Sequence, residues 1–149
     1  MYINALHANA ALARLIKGTK YNTGYRIIDV GILIHHQAGG SLTIAELGVL
    51  DLSSPGVPWI FLAFGIKAGF PLLHSWIIDT YPAASATGTV FLSAFTTKTA
   101  VYALARFFPG TEELILIGAA MTIFPIFYAV IENDLRKVLS YSMINQIGF

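Results

Sequence analysis

Three stretches of this chain are long and apolar enough to cross a lipid bilayer, and that excludes most ways a polypeptide can fold. They run over residues 57–78, 83–108 and 114–131. About 20 apolar residues, each rising 1.5 Å, span a hydrocarbon core of about 30 Å. Inside lipid every backbone N–H and C=O needs a partner from the protein, so the segments are predicted to be helices. Two weaker stretches flank them. Residues 25–37 are short and carry Arg26 and Asp29, while 138–149 is still apolar at Phe149. The second is expected to be a partial helix, because a helix stopped in mid-membrane leaves carbonyls unpaired. The expected fold class is therefore all-α. It is a polytopic integral membrane helical bundle over residues 25–149, after a cytoplasmic, amphipathic segment over 1–24, and a piece of a longer protein.

Gly39-Gly40-Ser41, residues 53–56, Tyr81-Pro82 and residues 109–111 are turn material between the segments. Only 11% of the residues are charged, against roughly 25% in a soluble domain. A net charge of +1 offers no footprint for nucleic acid. No cysteine is present, so thiolate metal sites are excluded, and the four histidines lack a ligand spacing. Neither a metal nor a cofactor is expected. Arg14, Lys17 and Lys20 precede the first segment, Arg26 stands at its start, and Arg136 and Lys137 follow the fourth. Positive charge collects on the cytoplasmic side, which places the start of the chain there, in a bacterial inner membrane. Arg26 and Asp29, three residues apart, are expected to form a structural ion pair.

Two lysines carry the chemistry. Lys67 lies ten residues into its segment, about 15 Å from either surface, beyond the reach of its own side chain to water. Lys98 sits at comparable depth. Each costs at least about 2.5 kcal/mol to place at the centre of a membrane helix. A desolvated lysine near a second cation can give up its proton, whereas arginine cannot. Proton transfer is therefore the functional reading, and a static ion pair or a lysine held by carbonyls is the alternative. Pro71 removes the N–H that the Lys67 carbonyl would bond, and Gly65 and Gly69 permit a bend, so the helix is predicted to break near Lys67–Pro71. A packing kink is the alternative there. His74 could pass protons between water and Lys67. Ser93, Thr96, Thr97 and Thr99 offer a polar lining, though hydroxyls also serve helix packing.

The stretch from Phe64 to Asp79, with Lys67, Pro71, His74, Trp76 and Asp79, resembles the signature of antiporter-like membrane subunits. That family covers Mrp-type cation/proton antiporters, proton-pumping subunits of respiratory complex I and membrane-bound hydrogenases. Residues 97–106, Thr-Lys-Thr-Ala-Val-Tyr-Ala-Leu-Ala-Arg, and residues 132–149, beginning Glu-Asn-Asp-Leu-Arg-Lys, look like two further family stretches. Ile77-Ile78 and Tyr81-Pro82 depart from the usual loop. The resemblance implies that Lys67 is the lysine on a broken helix and Lys98 the next on the route, in a protein of roughly fourteen helices.

The leading expectation is a proton-translocating, D-like subunit of an Mrp-type antiporter, with no catalytic site of its own. Its partners would be lipid, other membrane subunits, protons, and sodium or potassium as the exchanged ion. The alternatives are a proton-pumping subunit of NADH:quinone oxidoreductase or of a hydrogenase and, from another class, a non-transporting fragment or scaffold.

Overall fold

A computed structural model describes Gly24 and residues 26–43 and 50–149. The expected amphipathic segment over 1–24 lies outside the described residues, apart from Gly24. Among them the fold is helical, without strands. Helix α1 covers residues 26–37. It is followed by α2 (Val57–Ala68), α3 (Ser75–Ala83) and α4 (Ala86–Phe91). A π-helical stretch, Leu92–Thr96, leads into α5 (Thr97–Phe107), then α6 (Glu112–Ile131) and α7 (Leu135–Gly148).

The expected span 57–78 is thus two helices, and 83–108 is two helices joined through a wide turn. Tyr81-Pro82, read as a turn, lies inside α3, which continues to Ala83. The reason is tertiary. The Arg136 guanidinium on α7 donates to the carbonyls of Pro82 at 2.7 Å and Ala84 at 3.2 Å. The Thr89 hydroxyl donates to the Tyr81 carbonyl at 2.9 Å. Arg136 takes up carbonyls at a helix end, where backbone N–H partners run out, while the Tyr81 carbonyl also accepts from the Ala84 N–H at 3.3 Å.

Helix α1 runs antiparallel to α2: Gly24 lies against Ile66, and Gly31 against Ile60 and the Gly56 carbonyl. Helix α2 packs on α5, α3 on α7, and α6 most extensively on α7. The core joins Val57, Phe70, Ile77, Leu104, Phe108 and Ile144, each nearly or fully buried. Phe61 sets its ring edge-on to Phe108, with centroids 5.0 Å apart.

Helix α6 bears on the solvent around the fold. It has 20 residues with a mean hydropathy of 2.4, yet Ile115, Leu116, Val130 and Ile131 are each more than 70% exposed. A core helix of a soluble protein would bury such a surface, whereas lipid is a solvent for it. Its contact with α7 combines a Tyr128–Tyr141 ring stack with a close approach at two glycines. A Cβ on Gly118 would stand 2.7 Å from the Gly148 carbonyl oxygen, so the two backbones touch.

Within that seam the Asn145 amide donates to the Thr122 carbonyl at 2.5 Å. The bond sits next to the Met121 carbonyl, whose helical N–H partner Pro125 withholds. We expect Asn145→Leu to lower the stability of the detergent-solubilised protein by about 1 kcal/mol. A thermal unfolding midpoint equal to the parent's would show that the amide contributes nothing.

Candidate functional site: a broken helix and an open cavity

Helix α2 ends because of Gly69, which takes φ 88° in the left-handed region open to glycine. The N–H groups of Gly69 and Phe70 both bond the Gly65 carbonyl at 2.9 Å, a cap that turns the chain out of the helix. The Phe70 ring then folds back over Gly65, where any Cβ would stand 2.4 Å from it. Pro71 follows, and the chain makes a turn through His74 before α3 begins. Leu72 in this turn also has a positive φ, 71°. The break opens the Ile66 carbonyl to a side-chain donor, and the Trp76 indole N–H meets it at 2.6 Å.

Lys67 stands in the last turn of α2, half-buried, at the helix end whose carbonyls carry partial negative charge. That end favours an ammonium by about 0.3–1 kcal/mol. His74 is the residue before α3, and its ring packs tilted against that of Phe124 of α6, with centroids 4.6 Å apart. Its Nδ1 is buried and has no hydrogen-bond partner among the described residues. The imidazole is thus fixed by α6 as well as by its own turn.

Lys98 is exposed and lines an open cavity of about 560 Å³ between the α3–α5 segment and α7. Thr89, Ser93, Arg136, Ser140 and Gln146 line it with Lys98. Of the residues singled out in the sequence, the structure brings Ser93 and Lys98 together there. Lys67 and His74 are at the helix break, outside that cavity lining. Thr97 is fully buried on the inner face of α5, with its hydroxyl lacking a partner among the described residues. Thr96 lies in the π-helical stretch, and the Thr99 hydroxyl bonds back to the Phe95 carbonyl. Arg26 and Asp29 are both exposed on α1, and Lys137 lies 3.7 Å from Glu132.

Sequence reasoning missed Arg136, Ser140 and Gln146 as cavity residues. The signal was present: Arg136, Ser140 and Met143 recur at helical spacing, and all three line the cavity.

The chain matches, over residues 19–149, the family described as NADH:quinone oxidoreductase/Mrp antiporter, TM. It belongs to this family. This is a transmembrane family, and the exposed apolar surface of α6 accords with an integral membrane protein. The chain is 32% identical to the N subunit of NADH-quinone oxidoreductase from Desulforudis audaxviator, over 94% of this chain and 31% of that protein. It is 31% identical to the D subunit of the Na(+)/H(+) antiporter from Alkalihalophilus pseudofirmus, over 91% of this chain and 33% of that protein. In fold it is similar to a chain of the Mrp complex from Dietzia sp., with a TM-score of 0.77 and 24% identity, over 91% of this chain and 28% of that one. The chain spans about a third of the length of these relatives.

Proposed function

We propose that the protein is a proton-translocating, D-like membrane subunit of an Mrp-type cation/proton antiporter. The observation that supports the reading is the position of Lys67, in the last turn of a helix that stops within an apolar stretch. Irregular backbone at membrane depth is tolerated where it lines a cavity or is enclosed by protein. A lysine there can load and release a proton as its neighbours change charge.

In this reading Lys67 takes a proton at the break and Lys98, on the neighbouring helix, receives it beside the open cavity. His74 stands at the far side of the break, held by Phe124. Ser93 and water between the hydroxyls of the cavity carry the proton to and from Lys98. Other membrane subunits complete the path, and sodium or potassium is the exchanged ion. The protein sits in a bacterial inner membrane, with the start of this chain on the cytoplasmic side.

A second reading, a proton-pumping subunit of NADH:quinone oxidoreductase, is favoured by the similarity to the N subunit of such an enzyme. Inverted membrane vesicles that hold the intact protein with its partner subunits distinguish the two. An imposed sodium or potassium gradient is expected to move protons, reported by a pH-sensitive dye. Proton movement on NADH oxidation alone supports the second reading, and movement under neither condition leaves a non-transporting scaffold.

A further inference from the structure

We propose that Tyr81 is a positioning residue for Lys98, acting by holding the wide turn at Leu92–Thr96 that aims the lysine into the cavity. What Lys98 does there rests on the function proposed above; where it points does not.

A π-helical turn accommodates one residue more than an α-helical turn. Everything before it is thereby rotated relative to everything after it by one residue step, about 100°. The cavity shows the consequence. Ala86, Thr89, Val90 and Ser93, which precede or begin the wide turn, line it with Lys98, which follows. On an unbroken α-helix these four would lie about 120°, 180°, 80° and 140° around the axis from Lys98. With one residue absorbed by the wide turn, the angles become about 20°, 80°, 20° and 40°. Ala94, inside the turn, shifts only from about 40° to about 60°. The wide turn is what gathers the hydroxyls of Thr89 and Ser93 onto the lysine's face.

A π turn is rare and occurs mostly as a single turn inside an α-helix, and here side-chain donors from outside bond its carbonyls at both ends. The Tyr81 hydroxyl donates at 3.0 Å to the carbonyl of Leu92, the first residue of the stretch. At the other end, the Thr99 hydroxyl bonds the carbonyls of Phe95 and, at 3.3 Å, Thr96. Tyr81 is itself fixed. It is 3% exposed, sets its ring edge-on to Trp76, and its carbonyl accepts from Thr89. Trp76 in turn donates to Ile66, the residue before Lys67. One chain of contacts therefore runs from the Lys67 end of α2 through Trp76 and Tyr81 to the turn that orients Lys98.

The test is cysteine reactivity in the intact protein assembled with its partner subunits. This chain has no cysteine of its own, so Lys98→Cys and Ser93→Cys introduce defined thiols once any others are removed. Each is reacted with a small cationic thiosulfonate, with Tyr81 present or replaced by phenylalanine, which keeps the ring and removes the donor. Tyr81→Phe is expected to reduce reactivity at position 98 several-fold while position 93 keeps its own. Thr99→Val is expected to act in the same direction. Unchanged reactivity at 98 overturns the proposal, and so does an equal fall at both positions, which would mean that the cavity has closed rather than turned. Proton flux is then measured in Tyr81→Phe with Lys98 intact. Lower flux alongside the reactivity change supports both readings. Normal flux alongside it keeps the positioning role and removes Lys98 from the proton path.

Discussion

Lys67→Ala is expected to reduce coupled proton movement in vesicles to the background leak while the protein still inserts and assembles. Alanine has nothing to protonate, so a path that must pass through position 67 is cut. Insertion is spared because removing a lysine from a membrane helix relieves a cost of about 2.5 kcal/mol or more. The sharper variant is Lys67→Arg. It keeps the positive charge at the negative end of α2, and with it the attraction of the last-turn carbonyls. Arginine holds its proton at every accessible pH. Flux should therefore be lost in Lys67→Arg as well, with assembly closest to the parent. Normal flux in the arginine variant would mean that position 67 supplies a fixed field, and proton exchange would have to be assigned elsewhere.

The sequence made some of this legible and hid the rest for identifiable reasons. The helix end at Ala68 could be read from Gly69 and Pro71, because one adopts a backbone angle other residues resist and the other lacks an N–H. Both effects are local. The lysines were visible because a charge in an apolar run is costly wherever the run folds. The continuation of α3 through Pro82 was not visible, since it depends on Arg136, more than fifty residues away. The wide turn at Leu92–Thr96 was hidden for the same reason. Residue preferences do not separate a π turn from an α turn, and its external donor, Tyr81, lies on a different helix. Hydroxyls at Ser93, Thr96, Thr97 and Thr99 looked like one polar lining. The wide turn and the helix after it send them to different places: Ser93 to the cavity, Thr97 to the core, and Thr99 back to its own backbone.

Gly69→Val is expected to be the most destabilising single substitution at the break, costing about 2–5 kcal/mol in all. Two effects combine. The position has φ 88°, where an L side chain costs roughly 1–2 kcal/mol and a β-branched one is an outright outlier. The added Cβ would also stand 2.5 Å from the Ile77 Cδ1. Ile77 is fully buried on α3, so its methyl has no open space to swing into, and overpacking of that kind costs about 1–3 kcal/mol. Gly110→Val separates the two effects. Gly110 has φ 74°, but nothing lies within 4 Å of the Cβ position, so it should lose only the backbone share, about 1–2 kcal/mol. Thermal unfolding of the solubilised protein measures both. A larger loss at Gly69 than at Gly110 identifies the contact between the end of α2 and Ile77 as the constraint holding the two half-helices together. Equal losses would show that α3 gives way without cost, and the break would then be a hinge rather than a fixed joint.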